Sequence, residues 1–271
     1  MSLPLPSSLS PSKVSTFKDC ALAFRFSAID RLPEPPSVPA TKGSLVHRAL
    51  ELLFCAKANE RTREHASECL EQAKVEFLSD PDFTGLDLDD AQREAFYRDA
   101  ESMLERYFLL EDPMAVTPIG IELRLETDIG NLRLRGIIDR LELDDDGRLV
   151  VTDYKTGRAP SEAQELSRLG GVHFYAYMCE RLFGQRPSKV RLLYLGNQPQ
   201  VITAIPTEQS TKALERKVTA IWTAVEKACA NDNFQPKPSA LCNWCSFKAY
   251  CPAFGGDPAD AAALRADPVP A

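Results

Sequence analysis

Gly136-Ile-Ile-Asp-Arg140 and, after a short interval, Val150-Val-Thr-Asp-Tyr-Lys-Thr-Gly157 are the stretches on which the reading of this chain turns. Asn131 to Leu143 starts as an alternating strand, with Leu132 and Leu134 against Arg133 and Arg135. Arg148 to Lys155 is β-branched at its centre. Asp144-Asp-Asp-Gly147 between them is a run of turn formers. A hairpin of antiparallel neighbours follows. Side chains two apart on a strand share a face, so Asp153 and Lys155 point the same way, with Asp139 in the strand beside them. Two carboxylates and an ammonium therefore converge. Carboxylate oxygens are hard ligands suited to Mg²⁺ or Mn²⁺. Such an ion activates a water and polarises a phosphoryl oxygen, and a lysine ammonium stabilises the charge that develops. The plainer alternative is a hairpin closed by a salt bridge.

Working outward, the N-terminal side is helical. Residues 1–11 read as a loose leader, and Ser12 as the N-cap of a helix to about Ile29 that holds Cys20 mid-way. Pro33 to Pro39 ends it. A second helix, Thr41 to about Asn59, buries Leu45, Val46, Ala49, Leu50, Leu53 and Phe54 and carries His47, four residues after Gly43. Taken alone, that histidine is a packed residue. Two helices, Glu64–Leu78 and Asp89–Leu110, with a loop at 79–85, make a helical insertion over 60–111. Ile119 to Ile129 alternates as a half-buried strand; its Glu122 suits a site or a solvent-facing position equally.

Beyond the hairpin, the pattern predicts a helix over Glu162–Phe183, strands at Lys189–Leu195 and Gln200–Ile205, and a helix over Thr207–Ala230. The sum is an α/β fold with a mixed sheet of about five strands flanked by helices. Residues 256–271, rich in Ala, Asp and Pro, read as a disordered tail.

The 271 residues carry 32 Lys and Arg against 39 Asp and Glu, a net charge of -7, which does not advertise a nucleic-acid binder. The N-terminus lacks the apolar core of a signal peptide, and a cytoplasmic location with reduced thiols is expected. Eight cysteines in that setting point to metal rather than disulfides. Cys242, Cys245 and Cys251 are spaced C-x₂-C-x₅-C and followed by Pro252, a pattern suited to an iron–sulfur cluster or to zinc. One ligand is missing from this set, and Cys20 is the candidate. Cys55, Cys69, Cys179 and Cys229 lie among apolar neighbours and read as buried thiols.

Gly136-Ile-Ile-Asp139 followed by Asp153-Tyr-Lys155 resembles the core of the PD-(D/E)XK nucleases. More narrowly, it resembles the RecB-type branch with four cysteines, including AddB and CRISPR-associated members. The resemblance spans Ser10 to Phe254 and implies a restriction-endonuclease-like core, a single nuclease domain over 12–255. It implies Asp139, Asp153, the Tyr154 carbonyl and His47 around Mg²⁺ or Mn²⁺, with Lys155 catalytic. It also implies a [4Fe–4S] cluster on Cys20, Cys242, Cys245 and Cys251, with 12–30 and 232–255 as the cluster-binding subregion. The family places Gln-x-x-x-Tyr on the helix after the hairpin. Here the glutamine is absent: Gly171 precedes Tyr175, or, in the other register, His173 precedes Tyr177, and the Phe-Tyr-Ala context favours Tyr175. The implied activity is exonucleolytic cleavage of DNA with single-stranded or free ends, in repair or recombination. The rival is a degenerate DNA-binding or scaffold module. No P-loop occurs, so unwinding would fall to a separate helicase.

Overall fold

The computed structural model describes residues 2–160 and 170–264. Its helices are α1 (Pro11–Asp19), α2 (Ala21–Phe24), α3 (Val38–Cys55), α4 (Arg63–Phe77), α5 (Pro81–Thr84), α6 (Asp90–Leu110), α7 (Gly170–Phe183) and α8 (Glu208–Asn231). Its strands are β1 (Pro118–Ile129), β2 (Leu132–Leu143), β3 (Leu149–Lys155), β4 (Lys189–Tyr194) and β5 (Gln200–Ala204). They form one mixed sheet in chain order, β2–β3 antiparallel, β3–β4 parallel and β4–β5 antiparallel. This is the expected α/β architecture. None of the described helices is long and apolar enough to cross a membrane.

The chain divides into two compact units. The first comprises residues 1–35, 126–135 and 212–271; the second comprises 36–125 and 136–211. In the second unit α3 packs on α4 and α6, and Leu50, Leu53, Leu70, Phe96 and Tyr107 are buried there with Tyr154 and Leu193 from the sheet. Ser37 caps α3, its hydroxyl accepting from the Ala40 N–H at 3.4 Å, and Pro39 lies in the first turn. The helix therefore opens at Val38 rather than Thr41, since proline is tolerated where no intrahelical N–H bond is due. The loop expected at 79–85 contains α5, capped by Asp80. Cys55, at the end of α3, is exposed, which corrects its reading as a buried thiol.

In the first unit the expected helix over 12–29 is broken. Ser10, not Ser12, caps α1, accepting from the Lys13 N–H at 3.2 Å. Cys20 is extended (φ −160°, ψ 114°), α2 follows, and Arg25–Ile29 is π-helical. Leu22, Phe24 and Phe26 beyond the break are all buried. Phe17 packs edge-on against Phe24 at 5.2 Å across the break. Leu9 bridges Leu134 in parallel, and Arg25 pairs with Asp30 and Asp232. Pro258–Leu264, expected to be disordered, is 3₁₀-helical; residues 265–271 and the first half of the helix expected from Glu162 lie outside the described residues.

Behind the hairpin lies a buried charge network. Arg140, fully buried, donates to Glu111 (2.5 and 3.0 Å), Glu142 (2.6 Å) and the Tyr154 hydroxyl (2.9 Å). Arg191 on β4 donates to the same Glu111 at 2.7 Å, and Tyr107 on α6 donates to it at 2.7 Å. Two guanidinium groups thus balance two carboxylates. Burial works against the Arg140 charge, yet Tyr154, Glu111 and Glu142 hold it protonated beyond its ordinary range. Removing one member strands the others in the interior. Arg140→Met is expected to lower unfolding stability by about 3–5 kcal/mol, read as a drop in the urea midpoint; an unchanged midpoint would show that the network contributes little.

Candidate active site

The β2–β3 ladder ends with Arg140 paired to Thr152, and Asp139 and Asp153 are the next residue of each strand beyond that pair. Alternation then sorts the side chains. Arg140, Thr152 and Tyr154 face the charge network, while Asp139, Asp153 and Lys155 face the other side. Asp139 and Asp153 are both buried, so two like charges share a desolvated space. Burial, followed by the Asp153 charge, pushes the Asp139 carboxyl well above its ordinary range. Lys155 pairs with Asp153, and although burial opposes its charge, Asp153 and Asp139 keep it an ammonium.

The backbone of Tyr154 ties two of these groups together. Its N–H donates to Asp139 Oδ2 at 2.6 Å. Its carbonyl accepts from His47 Nε2 at 3.1 Å. A carbonyl can only accept, so this contact puts the imidazole proton on Nε2 and leaves the Nδ1 lone pair 3.6 Å from Asp139 Oδ2. Burial lowers the His47 pKa, which favours the neutral ring that a metal requires. His47 reaches this position because α3 passes close to the end of β3. A Cβ at Gly43 would lie 2.9 Å from Thr156 Oγ1, so the glycine admits Thr156 rather than an outside ligand.

Glu122 joins the group. Ligand atoms of His47, Glu122 and Asp139 all lie within 4.8 Å of one another. The clean alternation expected of β1 fails here, for Glu122 has left-handed backbone (φ 46°) and Ile121, Glu122 and Leu123 are all half-buried. A non-glycine residue in that conformation is strained, and strain of this kind gathers where a side chain must be re-aimed. Burial and the nearby Glu51 and Asp153 raise the Glu122 carboxyl to about 7. Gly120, two residues upstream, is the local hint of irregularity.

On α7, Tyr175 is the tyrosine that faces the acids. Its hydroxyl pKa is raised by burial and then by Asp153, Asp139 and Glu122. Gly136 makes room for it, since a Cβ there would meet the Tyr175 ring at 3.0 Å. Tyr177 is buried in the core. An open cleft of about 440 Å³, lined by Gly43, Ser44, His47, Arg48, Glu122 and Thr156, gives access. The donor set, one imidazole and hard carboxylate oxygens in excess of nearby cations, fits Mg²⁺ or Mn²⁺.

Residues 8–252 match the sequence profile of the PD-(D/E)XK nuclease superfamily. The chain belongs to that superfamily. This PD-(D/E)XK protein is also similar to the "Gene 69 protein" of Mycobacterium phage D29, at 25% identity over 266 residues, covering 90% of this chain and 96% of that one. Among solved structures it resembles one named "Putative exonuclease" from Eubacterium rectale, with a TM-score of 0.56 and 12% identity over 88% of this chain and 87% of the other. At that identity the likeness concerns the fold.

The four cysteines gather in the first unit. Cys20, Cys242, Cys245 and Cys251 line one cavity of about 260 Å³. The Cys245 thiol is pushed up by burial and by the proximity of Cys20, Cys242 and Cys251. The Ser239 N–H donates to Cys242 Sγ at 3.4 Å. The break at Cys20 turns this thiol out of the helix line toward the others.

The carboxylate cluster sets a pH dependence. Asp139 and Glu122 both hold their protons more tightly folded than unfolded; without a divalent ion the Glu122 contribution to stability is full below its ordinary value of 4.5 and is lost as pH rises through about 7, and the Asp139 contribution is likewise lost on the alkaline side. A divalent ion must displace those protons. Mn²⁺ is therefore expected to raise the melting temperature more at about pH 8 than at about pH 6, checked by scanning fluorimetry; an equal shift at both would show that these acids are not the ligands.

Proposed function

We propose that this protein is a divalent-metal-dependent deoxyribonuclease, an exonuclease acting on single-stranded or free DNA ends in repair or recombination. The observation that carries this reading is the gathering of His47, Glu122 and Asp139, with Asp153 and its partner Lys155 at the end of the neighbouring strand, beside an open cleft. Asp139, Asp153, Glu122, His47 and the Tyr154 carbonyl would hold the ion. A bound divalent cation supplies an acidified water and neutralises charge on the phosphoryl group. Lys155, kept an ammonium by its two acidic neighbours, donates hydrogen bonds to the attacking water or to a non-bridging phosphate oxygen. The Tyr175 hydroxyl, on the same side as the acids, orients the substrate. Membership of a nuclease superfamily and the name of the Eubacterium rectale relative support the assignment.

The cysteines belong, in this proposal, to the four-cysteine RecB-type branch and hold a [4Fe–4S] cluster. The gathering of all four thiols on one cavity supports a shared centre.

A catalytically degenerate DNA-binding or scaffold module is the second reading. It is favoured by Gly171, which leaves no side chain one turn before Tyr175, where the family carries glutamine. The test is cleavage of 5′- and 3′-labelled single-stranded DNA, and of an RNA of the same sequence, with Mn²⁺. Asp153→Ala is expected to reduce DNA cleavage by about a thousandfold, roughly 4 kcal/mol of transition-state stabilisation, with the fold retained. Equal activity in the variant would remove the catalytic assignment, and no cleavage by the native protein would favour the scaffold. For the cysteines, anaerobically purified protein is expected to be brown, and Cys20→Ser to lose colour and melt several degrees lower; a colourless protein carrying zinc would overturn the cluster.

A further inference from the structure

Trp244 is the most exposed large hydrophobic among the described residues, with 79% of its surface open. A tryptophan usually buries its ring, and leaving one in water forfeits a large apolar gain. Its backbone belongs to a capped turn. It ends the 3₁₀ turn Ala240–Trp244, which Ser239 caps, and it sits between Cys242 and Cys245. Leu241, at 56%, is exposed on the same turn. Phe247, three residues on, is buried.

Cationic groups accompany it. Lys237 and Lys248 line the same cavity wall as Trp244. Lys237 Nζ donates to the Lys18 carbonyl at 3.1 Å, and Lys18 is close enough to Lys217 to depress its pKa after burial. Asp19 and Glu34 line the cavity too, so the patch is mixed rather than purely basic. The balance over the whole unit is nevertheless distinct. The first unit carries 13 Lys and Arg against 11 Asp and Glu; the second carries 19 against 28, which together give the chain's 32 and 39. The unit that holds the catalytic acids thus repels a polyanion, and the unit that holds Trp244 does not.

We infer that Trp244 is a stacking platform for a base of single-stranded nucleic acid, with Lys237, Lys248 and Lys18 on the flanking phosphates. A solvent-open aromatic beside ammonium groups is what a single strand requires. Its bases offer π-faces to the ring, and its phosphates exchange counterions for lysines. A duplex keeps its bases stacked on one another and offers none to the indole. The surface is thus suited to an unpaired strand rather than to paired DNA. The inference rests on the nuclease reading only for its choice of ligand, and it places strand capture on the cysteine-bearing unit rather than on the acids.

The chain has two tryptophans, and Trp222 is 6% exposed, so quenching by an added strand reports on Trp244. The full-length protein is titrated with an oligothymidylate in EDTA, where binding is read without cleavage, so that an inactive catalytic centre and a missing platform give different results. Quenching on saturation is expected for the native protein and its loss for Trp244→Phe, whose smaller ring retains part of the affinity. Trp244→Ala is expected to weaken binding about tenfold or more, with an unchanged melting temperature. Lys237→Gln and Lys248→Gln are expected each to flatten the salt dependence of log Kd by about 0.7. The proposal is overturned if Trp244→Ala binds the strand as the native protein does, if a blunt duplex quenches as strongly as the single strand, or if Trp244→Ala abolishes self-association while leaving the oligonucleotide Kd unchanged, which would assign the ring to a protein contact.

Discussion

Two buried carboxylates at the end of a β-ladder are the constraint to which the rest of the second unit answers. Asp139 and Asp153 lie buried just beyond the last β2–β3 pair, where desolvation and the neighbouring Asp153 both oppose the charge of Asp139. Nothing in an ordinary hairpin favours that arrangement. It persists because the strands are anchored from behind. Arg140 is one residue from Asp139, Thr152 and Tyr154 flank Asp153, and these neighbours point to the opposite face, into the network with Glu111, Glu142 and Arg191. The pleat converts one short stretch into two devices. One face gathers acids that hold their protons until a cation displaces them, and the other holds balanced charge that secures the strands.

The same logic explains why Tyr154 matters without acting through its side chain. The phenol is fastened to Arg140, and its backbone N–H and carbonyl hold Asp139 and His47. A displaced phenol would carry both contacts with it. Preorganisation of this sort is inexpensive in a rigid sheet and hard to maintain in a loop, which is why the reacting groups sit on strands and on the long helix α3.

The first unit solves a different problem. Four thiols separated by most of the chain's length must meet, and three of them are delivered by short 3₁₀ turns near the C-terminal end. The fourth, Cys20, stands in extended backbone at the break between α1 and α2, so a local failure of helical periodicity places this thiol. At Glu122 a local failure of strand alternation does the same for a carboxylate.

Much of the architecture was legible residue by residue. The turn at 144–147, the alternation of β2 and the apolar stripe of α3 follow from short-range periodicity, and they establish the hairpin, the pairing of Asp139 with Asp153 and Lys155, and the helix bearing His47. Cysteine spacing within 242–251 is likewise a local pattern. Other features had no such signature. Glu111 and Arg191 carry no mark of burial in the sequence, because a charged residue announces its burial only through partners far away in the chain, here Arg140 and Tyr107. Whether Tyr175 or Tyr177 meets the acids depended on the rotation of α7 about its axis, a packing outcome set by the gap at Gly136. Periodicity tells which residues share a face; only the folded chain decides what that face meets, because burial, strain and charge pairing are energies of long-range contact.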